Sequence, residues 1–230
     1  TELMNLSGLD LSKLSFDEMN NFLQSDLRYT SFEGVHQANM SFRGASAQYA
    51  QFVDAKLPEA NFTRARIDSA NFYSSTITDA LFTGAIGPRA LMSESDFHNS
   101  KFNESLFKLA DFSGSNLENC NFRSSNLEAA SFVKTDIRGA SLRGANLAGA
   151  NLVDADMRVG NIAEKDIRGD LKMIEVESGP TEMRQADFTG ANLTRARIAG
   201  GIASNTIFKG ALMKDCQLTR ANLEGADFTG

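Results

Sequence analysis

The sequence predicts a repeat solenoid, and three observations support this. A large apolar side chain recurs at every fifth position, a small side chain lies two positions before it, and phenylalanine favours every second apolar slot. Neither the 3.6-residue period of a helix nor the two-residue period of a strand explains this spacing. A fixed internal period is typical of repeat architectures, in which each unit packs against its neighbours.

The apolar series begins at Leu27 and continues to Ile167. Three slots in this series lack a large side chain: Gln37, Ala47 and Gly87. The repeating unit therefore reads small, polar, Leu or Phe, and then two polar or small residues. Residues 145–149, Ala-Asn-Leu-Ala-Gly, show it most plainly.

This unit resembles the motif A(N/D)LXX of the pentapeptide-repeat family, and the resemblance covers residues 25–230. It implies an all-β fold, a right-handed quadrilateral parallel β-helix with four pentapeptides in each coil of twenty residues. The central residue and the small residue point inward in that fold. The alternation of phenylalanine independently favours four sides, because a ten-residue alternation within a twenty-residue coil places two phenylalanine ladders on opposite walls.

Residues 1–24 lack the repeat and predict an N-terminal α-helical cap. Ser15 and Glu18 form a capping box, and Leu14 and Met19 are spaced as a hydrophobic staple. A helix over about 16–24 would cover the first coil, including its open strand edge. Residues 25–230 then form the β-helix.

The repeat changes register after Ile167 and returns at Phe188, which requires an insertion of 1, 6, 11 or 16 residues. An insertion of 16 places Phe188 after Phe112, Phe132 and Leu152 in one ladder. It predicts a projecting loop or small hairpin at about 168–183. Charged residues of this loop are candidate interaction residues: Arg168, Asp170, Lys172, Glu175 and Glu177.

Sorting the outward charges by wall predicts one basic and one acidic side. The basic wall is centred on Phe42 and its repeats and carries Arg43, Arg64, Lys101, Arg123, Arg143, Arg197 and Arg220, against Glu104 and Glu164. The opposite, acidic wall carries Glu33, Asp54, Glu94, Asp111, Asp154, Asp187 and Asp227, against Lys134 and Lys209. Charge stripes of this kind steer partners. The alternative is ordinary solvated surface.

Composition excludes several classes of function. The net charge of −6 argues against nucleic-acid binding driven by bulk charge, and no apolar run reaches the length of a membrane span. Cys120 and Cys216 both occupy the small inward slot and predict buried structural cysteines. The histidines, His36 and His98, lie too far apart to form a dyad, and no catalytic or phosphate-binding motif occurs. We expect no enzyme activity and no cofactor, and a cytoplasmic or secreted bacterial protein.

Three functions remain. The first is a non-catalytic scaffold that binds a protein partner through its charged walls and its loop. The second follows from relatives that confer quinolone resistance, which look like B-form DNA and bind type II topoisomerases. The third is the recognition domain of a larger bacterial effector such as a ubiquitin ligase. The last repeat, residues 226–230, lacks a cap, which predicts either a continuing chain or an end-to-end homodimer.

Overall fold

The computed structural model describes residues 4–16, 20–159, 162–165, 171–174 and 179–230. Nearly all of them repeat one local conformation, a single bridging residue, the central residue, a two-residue turn and a small residue. The turn closes through a hydrogen bond such as that from Ala45 N to Phe42 O, at 3.0 Å. Each pentapeptide therefore forms one straight side and one corner.

Four sides make one coil, because each bridging residue pairs in parallel with the residue twenty positions later. Asn61 bridges both Ser41 and Leu81 in this way. The backbone amide of Phe42 donates to Asn61 O at 2.8 Å, and that of Asn61 donates to Met40 O at 2.8 Å. The result is a four-sided parallel β-helix whose strand edges are paired from coil to coil.

The core is a set of four stacked columns, one behind each wall. We number the walls by their central residues. Wall 1 contains Leu27, Ala47, Ile67, Gly87, Phe107, Leu127, Leu147, Phe188, Phe208 and Phe228; wall 2 contains Phe32, Phe52, Phe72, Met92, Phe112, Phe132, Leu152, Leu193 and Met213; wall 3 contains Gln37, Leu57, Ile77, Phe97, Leu117, Ile137, Met157, Ile198 and Leu218; wall 4 contains Phe22, Phe42, Phe62, Phe82, Phe102, Phe122, Leu142, Met183, Ala203 and Leu223.

The two phenylalanine ladders lie on opposite walls, 2 and 4, as predicted. On wall 4 the Phe82 and Phe102 rings stack with centroids 4.6 Å apart and 2° between planes. Across the core, Phe42 meets Phe52 edge to face at 5.4 Å. Offset stacks and edge-to-face contacts are the arrangements that the ring quadrupole favours, so ladders and cross-contacts together fill the interior.

The N-terminal region differs from the predicted helical cap. Residues 4–16 form part of a β-helical coil, in which Asn5 bridges Asp26 and Asp10 bridges Ser31. Residues 20–24 also have the coil conformation, and Asn21 bridges Ser41. The helix prediction is therefore wrong for these residues, because the ladder to the next coil overrides the local capping signal. Residues 17–19, which include Met19, lie outside the described residues.

A sequence signal for this coil exists in a shifted register. Leu6, Leu11 and Phe16 are five residues apart, but six residues separate Phe16 from Phe22. The bridges from Asn5 and Asp10 accordingly span 21 residues instead of 20. The Phe16 ring is buried and lies 6.1 Å from that of Phe22.

The insertion begins earlier and is longer than predicted. Asn146 bridges Asp187, a step of 41 residues, so that 21 residues separate two directly stacked coils. The coil continues to Val159 and resumes at Thr181. Phe188 consequently follows Leu147 on wall 1, whereas Leu193 follows Leu152. The predicted bounds of 168–183 are wrong at both ends, since Thr181 and Met183 are fully buried in the core.

Two strands lie within this insertion. Strand β1, Ile162–Lys165, pairs antiparallel with strand β2, Leu171–Ile174. The register joins Ile162 to Ile174 and Lys165 to Leu171. This agrees with a small hairpin, but it removes Ile162 from the series of core slots in which its spacing had placed it.

Candidate interaction surfaces

The exterior of each pentapeptide consists of the bridging residue and the two turn residues. Where the bridging residue is Asn or Asp, its side-chain oxygen accepts a hydrogen bond from the first turn amide, as in Thr63 N to Asn61 Oδ1 at 2.9 Å. The Asn or Asp side chain therefore has a structural role at this position. The second turn residue has a positive φ, which favours glycine. Function should therefore be sought where the exterior departs from this pattern.

Wall 4 carries five basic residues that form no ion pair within the described part of the chain. They lie on five of six successive coils, because the coil of Phe82 has none. They are Arg43, Arg64, Lys101, Arg123 and Arg143. All but Arg143 are exposed. At about 4.8 Å per coil they extend along roughly 24 Å of the rod. Glu104 lies on this wall, and Arg184 farther along pairs with Glu182.

Two residues predicted for the basic wall lie elsewhere. Arg197 and Arg220 flank Ile198 and Leu218, which follow Met157 on wall 3. Glu164, predicted as an acidic residue of the basic wall, lies in strand β1. These errors have one cause: the insertion is five residues longer than the predicted sixteen, which rotates every later pentapeptide by one wall.

Three arginines of wall 3 lie against carboxylates, in contrast with the unpaired arginines of wall 4, whereas Arg220 of wall 3 forms no ion pair among the described residues. Arg138 contacts Asp136 at 2.5 Å, and Asp156 lies 2.7 Å from Arg158 and 3.0 Å from Arg197. Burial tends to raise the pKa of Asp156, but its hydrogen bonds to Arg158 and the nearby Arg197 outweigh burial and lower it. This ladder neutralises its own charges and leaves little for a partner.

Wall 2 is the acidic side over its first half. Glu33, Asp54, Glu94 and Asp111 have no basic partner among the described residues. Asp154 is different, because a hydrogen bond from Arg195 lowers its pKa and the two side chains lie 2.6 Å apart. Two predicted members, Asp187 and Asp227, flank Phe188 and Phe228 on wall 1 instead.

Most of the candidate residues in the insertion lie outside the described residues. These are Arg168, Asp170, Glu175 and Glu177. Lys172 lies in strand β2, opposite Glu164 of strand β1. The insertion therefore stays a predicted interaction site.

The potentially reactive side chains have structural surroundings. Cys120 is buried, and its Sγ lies 3.0 Å from Phe97 O, an interaction that Ser100 makes with Ile77 O at the same slot one coil earlier. Burial raises the pKa of the Cys120 thiol well above its usual range. Cys216 is only partly buried, against the prediction, and burial raises its pKa to about 11. Both thiols therefore stay protonated at neutral pH.

One exterior feature was missed from the sequence. Ile86, Leu91, Leu106 and Leu109 are exposed on neighbouring coils where walls 1 and 2 meet. The signal was available, because an aliphatic residue replaces Asn, Asp or Ser at three bridging positions. These three bridging residues do not stand out in the sequence, because each one lies next to a central slot of the five-residue apolar series.

No group of three His, Cys, Asp or Glu among the described residues could hold a metal ion. Within that same part of the chain, no helix has the length and apolar character needed to cross a membrane. Geometry and surface together define a β-helical repeat protein whose distinguishing features are its outer walls.

The chain belongs to the pentapeptide repeat family. The family's sequence profile, described as pentapeptide repeats, matches eight copies over residues 48–84, 90–128, 120–158, 181–210 and 203–230. Members adopt the right-handed quadrilateral β-helix. Comparison with curated proteins finds no relative.

Solved structures with this fold include QnrB1, a plasmid-mediated fluoroquinolone resistance protein. A trypsin-treated variant of it is 16% identical, with a TM-score of 0.57, over 99% of this chain and 92% of that one. HetL, involved in heterocyst differentiation regulation in the cyanobacterium Nostoc sp. strain PCC 7120, is 21% identical over 97% of this chain and 88% of its own, with a TM-score of 0.45. These likenesses concern the fold alone.

Proposed function

We propose that this protein is a non-catalytic, rigid scaffold that binds a protein partner mainly through the basic side chains of wall 4. The carrying observation is the contrast between walls. Three arginines of wall 3 lie against carboxylates, whereas five basic residues of wall 4 have no ion-pair partner among the described residues. An unpaired charge stripe on a rigid support steers and orients an oppositely charged surface.

Rigidity supports this proposal, because it fixes the spacing of the charges. Stacked rings link successive coils behind wall 4, with Phe102 and Phe122 centroids 4.7 Å apart. The backbone pairs the same coils outside the rings, as where the amide of Gly84 donates to Asn103 O at 3.0 Å. A partner therefore meets basic groups already arranged at the coil repeat, and little ordering is needed on binding.

Affinity capture from a lysate of the native host, followed by quantitative mass spectrometry, tests the proposal. The variant Arg64→Glu/Arg123→Glu reverses two charges of wall 4. Lys56→Glu/Arg220→Glu is the matched control, because it makes the same charge change on exposed residues of wall 3 that form no ion pair in the described structure. We expect the partner to be retained by the wild type and the control but lost by the wall 4 variant. Equal capture by all three contradicts the role of wall 4.

A second candidate function is supported by the unpaired acidic residues of wall 2. Glu33, Asp54, Glu94 and Asp111 would face a basic groove such as that of a type II topoisomerase, in the manner of a DNA mimic. A supercoiling assay with gyrase, with and without a fluoroquinolone, tests this function. Protection that is lost in Asp54→Lys/Glu94→Lys supports it. Absence of protection at micromolar protein contradicts it and leaves the wall 4 proposal unaffected.

A further inference from the structure

Four exposed aliphatic side chains lie on two neighbouring coils around one corner, which we call the apolar corner: Ile86, Leu91, Leu106 and Leu109. Their exposed fractions are 37%, 47%, 37% and 43%. Ile86 and Leu106 are bridge partners on adjacent coils of wall 1. Leu109 ends the wall 1 turn, and Leu91 is the first bridging residue around the corner on wall 2. Single exposed aliphatic residues are ordinary, but a cluster marks an interaction surface.

An aliphatic side chain at these bridging positions cannot accept a hydrogen bond from the first amide of the turn after it. In the same column Asn126 accepts a hydrogen bond from Glu128 N at 3.0 Å, and Asn146 accepts one from Ala148 N at 3.0 Å. Leu106 has no side-chain oxygen and cannot accept the equivalent bond from Lys108 N. The same holds for Leu91 and Ser93 N. These leucines therefore forgo a turn hydrogen bond that the repeat normally makes.

The backbone at Leu109 leads to the same conclusion. Its φ is +61°, in the left-handed region that disfavours a bulky side chain. The neighbours in this column, Arg89 and Ala129, also have positive φ, and farther along the residues are Gly149, Gly190 and Gly210, with φ between +62° and +66°. Leu109 is thus strained and exposed at a position where glycine fits.

The charged groups around the apolar corner are asymmetric. Arg66 precedes Ile86 in the wall 1 column, and Arg89 lies in the turn after Ile86 on the same coil, one coil before Leu109. Arg66 lies no closer than 3.9 Å to Asp68, and Arg89 has no ion pair among the described residues. Lys108 pairs with Glu128 at 2.9 Å, but both side chains are well exposed. Three cations therefore border the corner on wall 1, Arg66, Arg89 and Lys108, and we call them the basic border; Arg89 alone of the three has no carboxylate within ion-pair distance in the described structure.

The wall 2 side carries carboxylates instead. Asp111 is the bridge partner of Leu91, and its Oδ1 accepts hydrogen bonds from Ser113 N and Ser113 Oγ at 3.0 and 2.6 Å. Glu94 extends over Gly114 of the next coil. These carboxylates would repel an acidic ligand, and they limit its binding to the wall 1 side of Leu91.

We propose that the apolar corner, with Arg66, Arg89 and Lys108, docks a protein segment that combines apolar with acidic side chains. The apolar side chains would cover Ile86, Leu106 and Leu109, and the carboxylates would face the basic border. This inference rests on the proposed scaffold function and adds the chemistry of a partner. It uses a different surface from wall 4, so loss of docking here leaves capture by wall 4 unchanged.

Selection of random linear peptides displayed on phage tests this proposal, because the peptides themselves report the preferred chemistry. Peptides are first depleted on the variant Leu106→Asn/Leu109→Gly and then selected on the wild type, so that those recovered depend on the corner. We expect them to combine Leu or Phe with Asp or Glu, and to weaken as ionic strength rises. Recovery of basic peptides, or of none, overturns the proposal.

The depletion variant also separates a binding role from a structural one. Both substitutions restore what the repeat normally uses, an amide acceptor at 106 and glycine at a positive φ. We therefore expect the melting temperature to stay the same or rise, while affinity for the selected peptides falls by about tenfold or more. A lower melting temperature would mean that the leucines support the fold and would contradict the proposal.

Two further measurements fix the assignment. Arg89→Glu should weaken the binding of the selected peptides by about tenfold, and Leu212→Ser, which removes a still more exposed leucine on wall 2, should leave their affinity unchanged. Sedimentation velocity checks for a second copy of the chain. A dimer that the double variant converts to a monomer would assign the corner to self-association and overturn the acidic-segment proposal.

Discussion

The coils of residues 20–139 and the coils that flank the insertion, residues 140–159 and 181–200, are joined by different side chains. In the first region phenylalanine rings stack inside, as with Phe102 between Phe82 and Phe122. In the second region the corresponding wall 4 positions are Leu142 and Met183. There a charged cluster outside, Asp156 with two arginines, links neighbouring coils.

The hydrogen bonds between coils have the same geometry in both regions, although different side chains stabilise the coils. Phe102 N donates to Asn121 O at 2.7 Å, and Leu142 N donates to Glu182 O at 2.7 Å across the insertion. Stacked rings in the core stabilise the coils of the first region, and ion pairs on the surface stabilise the same kind of coil in the second. The two regions should respond differently to cavities and to acid.

The largest expected effect is a cavity in the ring stack. Phe102→Ala removes two stacked contacts and several edge-to-face contacts, including that to Phe107 at 5.5 Å. We expect a loss of about 3–5 kcal/mol in the free energy of unfolding, since the rigid walls cannot collapse into the space. Urea unfolding followed by circular dichroism measures it.

Leu142→Ala, two coils farther along the same column, is the matched control. We expect it to cost about 2–3 kcal/mol, because it loses burial without loss of a ring stack. A cost equal to that of Phe102→Ala would mean that stacking contributes nothing beyond burial. The distinction between the two regions would then fail.

The next effect concerns the charged cluster of wall 3. The pKa of Asp156 is lowered, so its ionised carboxylate stabilises the fold above the ordinary value of 3.8. That stabilisation is lost as the pH falls through the lowered pKa. Asp156→Asn should reduce stability at pH 7 by about 1.5–3 kcal/mol, in the range of hydrogen bonds to charged groups. It should also flatten the decline in stability below about pH 4.

Unfolding measured by urea at pH 7 and at pH 3 checks this expectation. Asp54→Asn is the control, since Asp54 is exposed and has no basic partner in the described structure. It should change stability by less than about 0.5 kcal/mol at either pH. A stability difference between Asp156→Asn and the wild type that is the same at both pH values would exclude the proposed ionic linkage.

A smaller effect tests how closely the ring region is packed. Gly87 occupies a central slot, and a Cβ built there would lie 2.7 Å from the Phe107 ring and 2.9 Å from Ile67. Gly87→Leu should therefore cost about 1–3 kcal/mol by overpacking. The double variant Gly87→Leu/Phe107→Gly should recover part of that cost, because the pair exchanges volume. Additive costs, measured by the same urea titration, would show that the two positions are independent.

The five-residue period predicted the coil and the two phenylalanine ladders, since each depends on contacts that repeat. The length of the insertion was not predictable from the period. A change of register gives the length only to within a multiple of five, and Ile162 and Ile167 happen to continue the spacing. What decides it is the pairing of Ser141 with Glu182, a contact across 41 residues.

That single error explains the misplaced surface residues. Arg197 and Asp187 each moved by one wall, while Arg64 and Asp54, before the insertion, lie where predicted. At the N-terminus the capping signal at Ser15 was local and the deciding contact was not. The apolar corner required comparison of each exterior residue with its own column.

The direct pairing of residues 140–159 with residues 181–200 has a consequence for how this molecule can change. The insertion interrupts the repeat sequence there, but the coils still stack directly. Asp187 N donates to Ala145 O at 2.9 Å, the same hydrogen bond that joins coils elsewhere. The insertion between Val159 and Thr181 can thus be exchanged, lengthened or shortened without a change in the stacking of the coils on either side. The sequence of the β-helix and the sequence of the insertion can therefore change independently. A new binding specificity can arise in the insertion without substitutions in the repeat.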